Sequence, residues 1–157
     1  MRVSLRPLQE ADAKISCRWR NNPDVWRFTG NKPDTHVTEA IELAWIRQAL
    51  NNPCELRFAI CAGDSCEYVC NAQLTNITKG DAEFHIFIGE IAWHGRGVGS
   101  FATQQVLQYA HTVLGLNEIY LHVHADNAAA ITAYLKCGFK FSYTGEERSM
   151  RQMRVLL

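Results

Sequence analysis

The chain has 157 residues, 47% of them hydrophobic, enough for one domain with its own packed core. Sixteen Lys and Arg balance sixteen Asp and Glu. No basic excess exists to cover a phosphate backbone, so a nucleic-acid partner is disfavoured. The opening MRVSLRPLQEADAK lacks the apolar centre of a secretory signal, and nowhere do eighteen apolar residues run together. A soluble cytoplasmic protein without a membrane partner is expected.

RVSLRPL alternates and stops at Pro7, the pattern of a strand. A helix is predicted from Ala11 to Arg20, ended by Asn21 to Pro23. Beyond the loop GNKPD, Thr38 can cap a second helix to about Leu50, with Ile41, Trp45 and Ile46 inward and Pro53 closing it. Glu55–Ala62 and Glu67–Thr78 then form two strands about a Gly63-Asp64 turn. Lys79-Gly80-Asp81 is another turn, and AEFHIFI is the next strand. HGRGVGSF opens a helix to about Leu114, with Val106, Leu107, Ala110, Val113 and Leu114 as its apolar stripe. Gly115 ends that helix, and EIYLHVH is a strand. Asp126 or Asn127 caps a short helix to Cys137, stopped by Gly138. Strands over Lys140–Glu147 and Ser149–Leu156 finish a mixed α/β sheet in the order βααβββαβαββ.

Six cysteines invite a disulfide or metal reading. Cys61, Cys66 and Cys70 fall in the ICAGDSCEYVC hairpin, spaced unlike a zinc site and without a matching histidine pair. A bridge across the hairpin is geometrically open, but with no export signal buried free thiols are expected.

Gly95, Gly97 and Gly99 precede a helix, where bare backbone lets amide groups approach a bulky anion. The alternative is a tight turn without a ligand. The spacing is G-x-G-x-G without Gly-Lys-Ser/Thr, which fits neither a phosphate-binding P-loop nor a dinucleotide fingerprint. About thirty residues on, HADNAAAITAYLKCGFKF supplies Asn127, Tyr134 and Gly138-Phe139. With these two motifs at this spacing the chain resembles the GNAT superfamily of acetyl-CoA-dependent N-acetyltransferases. The element order extends the resemblance over the whole chain. LRPLQEAD, WRNNPDVW and IFIGEIAWHGRGVG are most similar to its RimJ/RimL-type branch, with His94 where Gln or Arg is usual.

That resemblance implies direct acetyl transfer from the thioester to a primary amine in a ternary complex. It implies pyrophosphate contacts from the loop His94, Gly95, Arg96, Gly97, Val98, Gly99 and Ser100, mainly through backbone amides. Main-chain groups of Ile86 and Ile88 would pair with the pantetheine arm, and an amide there would polarise the thioester carbonyl. Tyr134 matches the family's general acid, although it also reads as a core contact of a short helix. Asn127 reads both as a helix cap and as a contact for the arm. A base must take the amine's proton. In AEFHIFI, alternation sets Glu83, His85 and Phe87 opposite Phe84, Ile86 and Ile88. Glu83 is the first choice for the base and His85 the second, the alternative being a solvated sheet face.

His122 and His124 share a face, but a metal would lack a third ligand. They read as a neutral pair lining the cleft or capped by neighbours, with His124 a minor alternative base. Trp19, Arg20, Trp26, Arg27 and Phe28 fall where the family builds its acceptor cleft, while Trp19 also reads as an anchor of the first helix. The branch implies an amino sugar or a protein N-terminus as acceptor, amino sugars somewhat more. A homodimer is compatible with this reading. The alternative function is a catalytically silent acetyl-CoA sensor.

Overall fold

The computed structural model describes residues 1–29, 32–142 and 149–157, without the side chains of Phe28 and Thr29. Strand β1 (Val3–Pro7) is followed by a short 3-10 turn and three helices, α1 (Ala13–Asn21), α2 (Pro23–Thr29) and α3 (Glu39–Leu50). Then come β2 (Leu56–Ala62), β3 (Glu67–Thr75), β4 (Asp81–Ile88), α4 (Val98–Thr112), β5 (Glu118–His124), α5 (Ala128–Lys136), β6 (Lys140–Phe141) and β7 (Met150–Leu156). The expected order therefore holds with one helix added. Pro23 begins α2 instead of ending a helical stretch, because a first-turn position needs no amide donor and suits proline's fixed φ.

Among the described residues, seven strands form one sheet in the order β1-β2-β3-β4-β5-β7-β6. All neighbours are antiparallel except β4 and β5, which run parallel because α4 connects them. On one face the main core gathers Phe84, Val98, Val106, Leu116, Ile119, Phe139 and Met153 beneath α4 and α5. On the other, Trp19, Val25, Ile46, Ala59, Tyr68 and their neighbours, Phe87 among them, pack α1 to α3 over β2, β3 and the end of β4. Thr38 caps α3 as expected, its Oγ1 accepting from the Ile41 amide at 3.2 Å.

Four expectations need correcting. Ile41 is exposed, whereas Ile46 is fully buried and Trp45 half-buried, because α3 lays only one narrow face on the sheet. Val113 falls at the frayed end of α4 and is also exposed. All six cysteines are free, but only Cys61 and Cys70 are buried; Cys54 and Cys66 are exposed. The expected strand Lys140–Glu147 is seen only over Lys140–Phe141, and its residues 143–147 lie outside the described residues.

Candidate active site

β4 and β5 pair over only three rungs: Asp81 with Glu118, Ala82 with Ile119, and Glu83 with Tyr120. Beyond Glu83 the strands part. At the far end of β4, the amides of Gly89 and Glu90 both bond the Val69 carbonyl, at 2.9 and 3.1 Å, which bends the strand toward β3. Trp19 fixes that bend. Its indole lies so close that a Cβ on Gly89 would sit 1.9 Å from it, and its Nε1 donates to Glu90 Oε1 at 2.8 Å.

In an antiparallel ladder, alternate residues turn their main-chain groups to opposite neighbours. Gly89 faces β3, while the Ile88 carbonyl accepts from His94 Nε2 at 2.8 Å, outside the ladder. Ile86 and Ile88 thus turn their main-chain groups toward the parted side. His94 acts here as a tie between the glycine turn and the end of β4.

Gly95 and Gly97 adopt left-handed φ values of 70° and 84°, which a side chain would strain. Gly97 is the N-cap of α4 and brings no capping side chain, and the first turn holds no acidic residue. The first main-chain bond of the helix runs from the Phe101 amide to the Gly97 carbonyl. The amides of Val98, Gly99 and Ser100 therefore precede the helical ladder, at the positive end of the macrodipole. Gly99 is the telling position. It is helical, yet an added Cβ would meet only Ile88 Cδ1 at an ordinary 3.9 Å. No crowding by the protein calls for glycine there. Arg96 stacks its guanidinium 4.0 Å from the Trp93 ring centroid, beside the turn.

The two faces of the parting differ sharply. On the α4–α5 face, the Tyr134 ring meets Phe84 and Phe139 edge-on, with centroids 6.4 and 5.7 Å apart. Burial pushes the Tyr134 phenol up to about 12, with small contributions from Cys70 and Cys137. Asn127 caps α5 by accepting from the Ala130 amide at 3.2 Å, which supports the capping role expected for it.

The opposite face is polar, in two rows across the strands. Arg57, Gln73 and His85 are successive cross-strand partners on β2, β3 and β4. Thr75, Glu83, Tyr120 and Arg154 make the adjoining row from β3 to β7. Glu83 is its hub: Oε1 accepts from His122 Nδ1 at 2.9 Å and Oε2 from Asn76 Nδ2 at 3.1 Å. His85 Nε2 lies 3.1 Å from Thr75 Oγ1 and 3.6 Å from Glu83 Oε1. Desolvation holds the His85 imidazole below its ordinary pKa of 6.5; Glu83 pulls the other way, while Arg57 and His122 add to the lowering. A neutral His85 follows near pH 7.

The residues expected to line an acceptor cleft do not all meet. Trp19 is 3% exposed and wedged among Tyr68, Phe87 and Gly89, so it anchors α1 and cannot floor a pocket. Arg27 is exposed and pairs with Asp24 on its own helix, and Lys32 lies over the half-buried Trp26. The Phe28 side chain lies outside the described residues. Arg20 instead turns to Trp45, which it shares with Arg57, with guanidinium carbons 5.3 and 4.9 Å from its ring centroid. A cleft of about 270 Å³ opens beside them, lined by Trp45, Gln48, Ala49, Asn52, Glu55 and Arg57. His122 and Asn76 join Glu83 without having been assigned there from the sequence. The shared face of the YLHVH histidines was readable, but not the register that sets it beside Glu83.

A sheet parted at its parallel pair, with bare amides at the mouth and proton-carrying groups on opposite faces, has the layout of a thioester-using acyltransferase. Residues 2–140 match the Acetyltransferase (GNAT) domain family, and the chain belongs to that family. It is an N-acetyltransferase drawing its acetyl group from acetyl-CoA. The spermidine N(1)-acetyltransferase of Escherichia coli K12 is 30% identical over 138 residues, covering 87% of this chain and 72% of the relative. An uncharacterized N-acetyltransferase, p20, of Bacillus licheniformis is 28% identical over 83% of this chain and 74% of its own length. Among solved structures, Vibrio cholerae spermidine N-acetyltransferase in complex with CoA and spermine superposes with a TM-score of 0.85. It is 23% identical, covering 98% of this chain and 95% of that one, a likeness of fold. These names do not carry the RimJ/RimL-type branch, and the relatives named for an activity are enzymes, not sensors.

Proposed function

We propose that the protein acetylates a primary amine of a small molecule, with spermidine-type polyamines as the acceptor class. The acceptor rests on the relatives' names: two proteins called spermidine N(1)-acetyltransferase are 30% and 26% identical over 87% and 98% of this chain. The observation that carries the chemistry is the parting of β4 from β5 directly beyond the Glu83–Tyr120 rung. Main-chain amides from Gly95 to Ser100 hold the pyrophosphate, with Arg96 beside them. The pantetheine arm runs along Ile86 and Ile88, adding strand-like bonds where β5 has moved away. Asn127 stands at the start of α5 as a further contact. An amide in that stretch meets the thioester oxygen as charge develops on it. Tyr134 protonates the departing thiolate from one face. The Glu83–His85 side receives the amine's proton from the other.

A thiol-release assay with acetyl-CoA should give the highest kcat/KM for spermidine or spermine. The comparison amines are an amino sugar, an amino acid and a peptide N-terminus. Higher kcat/KM for the sugar or the peptide would overturn the polyamine assignment and restore the acceptors of the RimJ/RimL-type reading. CoA binding with no turnover on any amine would be the outcome of a sensor. No thermal shift with CoA would sink the proposed site itself.

A further inference from the structure

Both oxygens of Glu83 are already engaged. Its side chain is 15% exposed, against 43% for His122, and both of its oxygens accept hydrogen bonds. A carboxylate only accepts, so the His122 nitrogen 2.9 Å away, Nδ1, carries the hydrogen. In its neutral form the ring then has its lone pair on Nε2. Glu83 sits on the last rung of the parallel pair, opposite Tyr120, and His122 lies two residues further along β5 on the same face. The imidazole therefore stands where the strands begin to part, with the carboxylate behind it.

We infer that His122 is the catalytic base, its Nε2 taking the amine's proton while Glu83 holds the ring and balances the imidazolium. This rests on the acetyl-transfer reading above and moves the accepting role from Glu83 to the imidazole. In the step, the amine nitrogen bonds the thioester carbon and one N–H proton passes to His122 Nε2. The C–S bond breaks, and the thiolate sulfur takes the Tyr134 phenolic proton. Imidazolium and phenolate then return to their resting states by exchange with water, leaving an amide and a thiol. A carboxylate orienting an imidazole through Nδ1–H is the arrangement by which hydrolases fix the tautomer of their base and turn its Nε2 to the reacting atoms. Among the described residues, Glu83 and His85 of β4 face His122, Tyr120 and His124 share its side of β5, and its partner across on β7 is the uncharged Gln152, with Arg154 over Tyr120. Arg57 and Glu55 reach the cluster through His85. Glu83 is the carboxylate bonded to the His122 ring among the described residues.

Histidine 15N NMR of the whole protein tests the resting state without any substrate. His122 should be the Nδ1–H tautomer, and Glu83→Gln should release it toward the other. Kinetics on whichever amine the wild type accepts test the role. His122→Gln retains an amide that can donate to Glu83. It should lower kcat by about 10²- to 10⁴-fold, leave the KM for acetyl-CoA unchanged and erase the acid limb of the pH–rate profile. Glu83→Gln should lower kcat less than His122→Gln does, since the ring loses its orienting carboxylate but keeps an accepting nitrogen. An Nε2–H tautomer in the wild type would overturn the inference. So would a His122→Gln enzyme with its acid limb in place and kcat within about twofold of wild type. Failure of the wild type to bind CoA or turn over any amine is a separate result, and it would fell the acetyl-transfer reading.

Discussion

Tyr134 is a core residue, and the acid role proposed for it would draw on that same burial. Its ring is part of the core around Phe84 and Phe139, and the same burial pushes its phenol up to about 12. The shift favours the neutral form, so the proton is held until the pH nears that value. A phenol of that strength would be a poor donor to a thiolate in water, whose thiol has a pKa of about 8.5. In the gap the thiolate is desolvated too, and its affinity for a proton rises with the phenol's. Tyr134→Phe should therefore lower kcat by about 10²- to 10⁴-fold while the KM for acetyl-CoA stays put, because the ring and its packing remain. The wild-type kcat should show no alkaline fall from loss of this acid through about pH 10. Steady-state kinetics across pH check both. Unchanged turnover in the Phe variant would leave Tyr134 as core alone.

At the level of elements, α4 and its glycine turn make the sharpest case. Gly97 needs its left-handed φ, so Gly97→Ala should cost about 1 kcal/mol whatever binds. Gly99 has no such need, since a Cβ there meets ordinary packing distance. Gly99→Ala should thus raise the stability of the free protein by up to about 1 kcal/mol. The same methyl would stand between the helix amides and a diphosphate, and CoA affinity should fall by at least about tenfold, roughly 1.4 kcal/mol. Thermal melts of the free protein and calorimetric titration with CoA read the two effects separately. Stabilisation without loss of affinity would mean that the glycine faces no ligand.

These elements also show what was legible in the chain. The alternation of AEFHIFI put Glu83 and His85 opposite Phe84 and Ile86, because a strand's period needs no partner to be read. The turn at Gly95–Gly97 and the cap at Asn127 were legible for the same reason: each is a local demand of the backbone. The partnership of Glu83 with His122 was not, since it joins residues 39 positions apart through a parallel register that local pattern does not carry. Trp19 was ambiguous from composition, and its role follows from a contact with Gly89 and Glu90 far along the chain. Helix α2 escaped because Pro23 both ends and begins helices.

Across the molecule, three rungs between β4 and β5 join a four-stranded half, β1 to β4, to a three-stranded half, β5 to β7. The antiparallel junctions beside them are longer, with six rungs from β3 to β4 and seven from β5 to β7. Main-chain groups on the parted edges have no strand to protect them, so they should exchange hydrogen early in the free protein. A pantetheine arm lying between the halves would supply the missing partner and add its binding energy to the fold. At a CoA concentration about 100 times its Kd, that linkage is worth about 2.7 kcal/mol. In a domain of this size it corresponds to a rise in Tm of roughly 5–11 °C. Hydrogen exchange followed by mass spectrometry should then show CoA protecting residues 84–88, with α4's first turn, while the β2–β3 ladder changes least. Protection spread evenly over the sheet, or none along β4, would place the coenzyme somewhere other than the parting.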